Sequence, residues 1–212
     1  MYKKSFISIL VLSTIFLSCK EEASSNMEEE EAVELLCLGD PTYVSFQSQI
    51  DEASDGDSIK VSPGTYKGVV DFKGKNVVVG SMFLNGQDSS YIGETIIDGN
   101  GSGPVVTFAN DEGSGAVLSG FTITGGSAEK GGGIYVKNAS PTLTNLVVEF
   151  NNTVNCEVGE YFGNGQGGGI YLESSESLLQ HVLVDSNTSA IEGGGIFAKN
   201  STLELNLSLI HI

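Results

Sequence analysis

Three times along this 212-residue chain a run of three glycines is followed by an isoleucine and an aromatic residue. The segments read GGGIYVKNASPTLTNLVVEFNN from Gly131, GGGIYLESSESLLQHVLVDSN from Gly167 and GGGIFAKNSTLELN from Gly193. The first two align without a gap. Ile134, Ile170 and Ile196 share one position, Leu143, Leu179 and Leu205 a second, and Val148 and Val184 a third. One such unit cannot bury its own aliphatic residues, whereas a pile of units joins them into a continuous column.

The chain before the repeats supports the same reading. Short apolar runs at Ile59 to Val61, Val69 to Phe72, Val77 to Val79, Thr95 to Ile97, Val105 to Phe108 and Phe121 to Ile123 are broken by turn residues, with no helical stretch expected between them. Parallel neighbours need long crossovers unless the chain winds, each turn returning one strand spacing higher. The expected fold is therefore all-β, a parallel solenoid. With 28 glycines against 4 prolines and no collagen period, the glycine excess is assigned to tight corners. Asn151 and Asn187 share one position, where a left-handed conformation and a side-chain ladder are expected. Folded sequence is expected from about Tyr43. Phe46, Ile50 and Ala53 fall on one face of a short helix ending before Gly56, suited to cap the open sheet end.

The segments DGDSIKVSPGTYKGVV, IIDGNGSGPVVTF and LSGFTITGG, between Phe46 and Gly126, resemble the opening of the right-handed parallel β-helix proteins of the pectate-lyase-like superfamily. The GGGIY repeats are similar to those of polymorphic outer-membrane adhesins. The resemblance covers residues 43 to 206 and implies a right-handed winding. It is silent on activity, because that superfamily holds lyases, hydrolases, epimerases and non-enzymatic adhesins.

Residues 1 to 18 read as an export signal: Lys3 and Lys4, an apolar run from Phe6 to Leu17, then Ser18 before Cys19. That run is too short for a permanent membrane span. Phe16-Leu17-Ser18-Cys19 resembles a bacterial lipobox, with Phe16 where leucine is usual, so Cys19 is the expected lipidation site. Lys20-Glu21-Glu22 looks like the tag that sends some lipoproteins to the cell surface. Residues 19 to 42 are expected to form an acidic, disordered tether, which places the protein on the outer membrane, lipid-anchored and surface-exposed. Cys37 and Cys156 are 119 positions apart without framework spacing, so free thiols are expected before a disulfide. Leu207 to Ile212 back-translate to CTGTCTCTTATACACATC, the sequence of a transposon-end adaptor. Residues 207 to 212 are accordingly expected to be an artefact adding no strand, and the natural chain to continue in further repeats.

Charge and chemistry narrow the function. The formal charge is −17, and losing Lys3 and Lys4 takes it to about −19, which disfavours nucleic acid and anionic lipid as partners. The resemblance to pectate-type lyases implies calcium-binding carboxylates and a cationic base, commonly arginine, yet the sequence contains no arginine. The Asn-Thr-Asp, Asp-Asp and Gly-His-Gly motifs of the hydrolase branch are missing too. His181 aligns with Asn145 and is assigned a structural or solvent role, and Asp98 in IIDGNG a turn. No catalytic residue is assigned and no cofactor is expected, calcium excepted as a candidate. Two readings stay open: a monomeric, non-catalytic surface β-helix binding a glycan or a protein, or a carbohydrate-active enzyme with its catalytic residues further along.

Two candidate sites follow from register. Strand alternation places Tyr135, Tyr171 and Phe197 outward in a stacked row, as a sugar-binding ladder or as a cover for the sheet. Glu149 and Asp185 share one position, so their like charges splay into water, share a cation, or leave one carboxyl with a raised pKa. The insertion Thr153 to Gln166 supplies Glu157 and Glu160 as further candidate metal ligands and Tyr161 as a candidate stacking ring.

Overall fold

The computed structural model describes the backbone of residues 34–37 and all of residues 45–154 and 165–211. The protein is predominantly β; among the described residues there are three short helices, and the strands pair in parallel. Five strands form one sheet: Val70–Asp71, Val106–Phe108, Ile134–Lys137, Ile170–Glu173 and Ile196–Lys199, stacked in chain order. An eleven-stranded sheet contains two further columns. One climbs through Ser58–Val61, Val78–Ser81 and Val117–Ser119, the other through Gly64–Lys67, Thr95–Asp98 and Thr122–Thr124. The long strands Thr142–Glu149 and Glu176–Asp185 join both columns. A two-stranded sheet, Ser127–Ala128 with Asn152–Thr153, completes the set.

The register is the one the repeats require. Ile134 pairs with Ile170 and Ile170 with Ile196; Leu143 pairs with Leu179 and Leu179 with Leu205; Val148 pairs with Val184. Ile134, Ile170, Leu143, Leu179, Val148 and Val184 are all fully buried in one aliphatic core, with Ile196 packed against it from above. Phe72 and Phe108 meet inside that core with ring centroids 4.2 Å apart.

Glycine is needed in the triplets for two different reasons. Gly131, Gly167 and Gly193 have φ of +61°, +67° and +66°, a left-handed backbone that side chains resist. Gly133 and Gly169 have ordinary φ but no room. A Cβ on Gly133 would lie 2.6 Å from the carbonyl oxygen of Gly169, and one on Gly169 equally close to that of Gly195.

Asparagine forms the expected ladder by a different geometry. The left-handed residues are Phe150 (φ 53°) and Ser186 (φ 52°), one position before Asn151 and Asn187. Asn151, 1% exposed, donates from Nδ2 to the carbonyls of Ile123 and Glu149, while Asn187 Oδ1 accepts from both the backbone N–H and Nδ2 of Asn151, each at 3.0 Å. Asn187 Nδ2 donates to the Val148 carbonyl at 2.8 Å. The asparagines satisfy the corner, and their neighbours bend it.

The helix Gln47–Glu52 lies where expected, with Phe46 and Ile50 buried and Ala53 packed on the core. Phe46 stacks on Phe121 at 6.0 Å and meets Tyr66 edge-on at 5.5 Å. Lys75 closes its C-terminal end, its ammonium donating to the carbonyls of Ile50, Asp51 and Ala53 at 2.6–2.7 Å. Glu112, 1% exposed, ties two loops together by accepting the N–H groups of Gly74 and Asn110.

Three expectations are corrected. Two helices, Phe83–Gly86 and Ser90–Glu94, stand between strands where no helix was foreseen. At four and five residues they are too short to display a period, and the second packs on the outer sheet face, its Ile92 carbonyl accepting from Thr122 Oγ1. Glu34–Cys37, inside the stretch assigned to a tether, pairs in parallel with Ser58–Val61. An apolar run beside an open sheet edge finds unpaired backbone groups there, whatever the acidity around it. Leu209–Ile210, expected to add no strand, pairs with Leu183 and Val184. The same edge argument applies, and Leu207, carrying the corner at φ 49°, remains 79% exposed.

Candidate functional site

The outward row of the five-stranded sheet begins with the aromatic ladder. Tyr135 pairs with Tyr171 and Tyr171 with Phe197. The rings stack at centroid distances of 5.5 Å and 5.5 Å, with interplanar angles of 9° and 11°. Stacking along the repeat axis turns each ring face toward the next ring, so the faces cover one another. Tyr171 is 0% exposed, and Tyr135 and Phe197 are only half-buried. The ladder thus points outward, as alternation requires, but its middle ring offers no free face to a sugar.

Charge reinforces that cover. Lys130 Nζ sits 5.0 Å from the Tyr171 ring centroid and 3.2 Å from its hydroxyl. The Tyr171 O–H donates to Glu173 Oε2 at 3.1 Å, and Lys199 Nζ lies 3.4 Å from Glu173 Oε1. Burial, and then the bond to Glu173, push the Tyr171 hydroxyl up to about 12. Burial alone would raise the Glu173 carboxyl, but the bonds from Tyr171 and Lys199 and the nearby lysine charges hold it below its ordinary value. Tyr135 is raised chiefly by burial.

Glu149 and Asp185 are register partners, as the repeats predict. Of the three outcomes foreseen for them, the raised carboxyl is not found at Asp185. Its pKa is lowered, first by the 2.8 Å hydrogen bond to the His211 ring and then by Ser186. Among the described residues no three His, Cys, Asp or Glu side chains come together as a metal site. Glu157, Glu160, Tyr161, Cys156 and the lipidation candidate Cys19 lie outside the described residues, as does the side chain of Cys37.

His181 is exposed and occupies a backbone corner. It shares its position with Asn145 and Leu207, and their φ values of 53°, 52° and 49° follow Gly120 at +84° one repeat below. Asp98 accepts the Asn100 N–H at 2.9 Å, the turn expected of IIDGNG.

Sequence reasoning missed a polar groove of about 390 Å³ at the next corner, lined by Ser140, Ser174, Ser175, Glu176, Asn200 and Thr202. The signal available was register: Lys137, Glu173 and Lys199 pair in line, which carries Asn138, Ser174 and Asn200 into one row. All three have left-handed φ, 51°, 52° and 50°. No family model, curated protein or solved structure matches this chain.

Proposed function

We propose that the chain is the repeat-bearing part of a right-handed parallel β-helix, lipid-anchored through Cys19 to the outer membrane and displayed at the cell surface. There it binds a glycan or a protein without transforming it. The observation that carries this reading is the shared register of the three repeats, which sets outward residues in rows one strand spacing apart, Tyr135, Tyr171 and Phe197 in one and Glu149 and Asp185 in another. Rows of that kind suit an extended partner met many times weakly. In this reading the helix Gln47–Glu52 is the N-terminal cap, since Phe46 and Ile50 bury their side chains against the core.

The net charge of −17 favours neutral glycans and proteins over nucleic acid.

The test uses cells with an outer membrane that produce the whole chain or its Cys19→Ala variant. Incorporation of labelled palmitate, digestion by external protease, and adhesion to surfaces coated with glycans or matrix proteins are expected for the wild type. All three should fall with the cysteine. A chain that resists protease on intact cells, or cells that adhere no better for carrying it, would overturn the reading.

A further inference from the structure

We propose that the polar groove at the Ser174–Asn200 corner is a binding subsite for an uncharged, hydroxyl-rich chain, a neutral glycan; the proposal rests on the surface-binding reading and names its ligand class. The groove crosses three repeats. Ser140 comes from the first, Ser174, Ser175 and Glu176 from the second, and Asn200 and Thr202 from the third. Glu176 and Thr202 are register partners, and Ser140 stands two residues before Thr142, the partner of Leu178.

Its backbone has little left to offer. The Ser174 N–H donates to the Lys199 carbonyl at 3.0 Å, and the Thr202 N–H to the Ser175 carbonyl at 2.8 Å. Its inner wall is equally committed, because Ser175, 3% exposed, shares its hydroxyl with Ser177 and gives its N–H to Ser201 Oγ. The free capacity lies in side chains. Ser140 Oγ accepts the Glu176 N–H, which leaves its own proton to donate. The side chains of Ser174, Glu176, Asn200 and Thr202 are exposed and make no hydrogen bond to any described residue. Together they present hydroxyl, amide and carboxylate groups, donors and acceptors mixed.

The lining decides the ligand. No apolar side chain and no cation lines the groove, so it offers nothing to a lipid or to a phosphate or sulfate group. The nearest ammonium group in the register, Lys199, is turned to Glu173. A peptide side chain would need an apolar pocket, and the lining offers none. A sugar chain matches on each count: it is neutral, it carries donors and acceptors on every residue, and Glu176 accepts from its hydroxyls. Successive repeats rise by about 4.8 Å, close to the length of one sugar ring, so a glycan lying along the axis meets a similar set of groups at each ring. The volume lies within the ordinary range for ligand sites, roughly 300–1,000 Å³.

Isothermal titration of the purified full chain with neutral oligosaccharides of glucose, xylose, mannose and N-acetylglucosamine tests this, with oligogalacturonate and a serine-rich peptide as comparators. Saturable binding of a neutral oligosaccharide is expected. It should weaken about tenfold in Asn200→Ala/Thr202→Ala, as for two lost hydrogen bonds, and likewise in Ser174→Ala/Glu176→Ala. Both variants should still unfold cooperatively, losing no more than about 1 kcal/mol for alanine at the left-handed Ser174 and Asn200 positions, and Glu94→Ala, outside the groove, should bind normally. Failure of every neutral oligosaccharide, tighter binding of oligogalacturonate or peptide, or wild-type affinity in both double variants would each overturn the proposal. Because the protein is in solution, these outcomes are independent of whether cells display it.

Discussion

Replacing Gly169 by alanine isolates the close approach of neighbouring backbones from every other use of glycine in this chain. Gly169 has an ordinary φ, so alanine meets no conformational penalty there. Its Cβ would stand 2.6 Å from the Gly195 carbonyl oxygen, 2.8 Å from Asn187 Nδ2 and 2.9 Å from Val184 Cγ1, where ordinary contact begins at 3.4 Å. Two of these neighbours are fixed parts of the fold, a ladder carbonyl and the asparagine that closes the next corner. Relief requires the second and third repeats to part locally. That motion strains the bonds from Gly169 N–H to the Gly194 and Gly195 carbonyls at 3.0 and 3.1 Å, and from Ile170 N–H to the Gly195 carbonyl at 2.8 Å. Overpacking costs about 1–3 kcal/mol and a weakened buried hydrogen bond about 1 kcal/mol, so a loss of about 3 kcal/mol is expected. Urea unfolding followed by far-ultraviolet circular dichroism reads it: with a slope of about 1–3 kcal/mol per molar, the midpoint drops by about 1–3 M. Gly93→Ala is the control, since a Cβ there meets nothing within 4 Å inside the helix Ser90–Glu94, and it should stabilise by about 0.5 kcal/mol. A Gly169→Ala midpoint equal to the wild type would refute steric approach as the reason for the glycine triplet.

Lys75→Met keeps the aliphatic stem but removes the ammonium that holds the carbonyls of Ile50, Asp51 and Ala53; a loss of about 2 kcal/mol is expected in the same urea assay. Thr95→Val should be neutral or stabilising by about 1 kcal/mol, because the Thr95 hydroxyl is buried without a partner among the described residues. Tyr171 makes stability fall at alkaline pH: an unfolded tyrosine ionises near 10 and the folded one at about 12, so the unfolded state loses its proton first and stability declines as pH rises through that window. Below it Tyr171 contributes no pH dependence, and Tyr171→Phe should shrink the decline to the share left by Tyr135, whose hydroxyl burial also raises, and remove the last phenolate to appear in an absorbance titration.

How much of this was legible follows from what a repeat transmits. In-register stacking places like side chains at like positions, so Ile134, Ile170 and Ile196 announce both the column and its direction. The helix at Phe46 and Ile50 was readable because its three apolar positions span two turns, whereas Phe83–Gly86 and Ser90–Glu94 never complete a period. The corner of Asn145, His181 and Leu207 was hidden for the opposite reason: a backbone angle unites it, and three unlike side chains occupy it.

The candidate sites divide along the same line. Register settles which side chains are neighbours, as it does for Glu149 with Asp185 and for Tyr135 with Tyr171. It does not settle what stands over them. Of the two readings of the aromatic row, Tyr171 fits the cover, because rings stacked along the axis hide one another and because Lys130, from the loop before the strand, covers the middle one. The groove was missed for the converse reason. Its serine, threonine and asparagine residues are common turn formers, and their chemistry looks ordinary until the left-handed corner lines up the unspent hydrogen-bonding groups of three repeats on one side. The proposed subsite accordingly lies at a corner, where the chain departs from the strand and side chains escape the ladder.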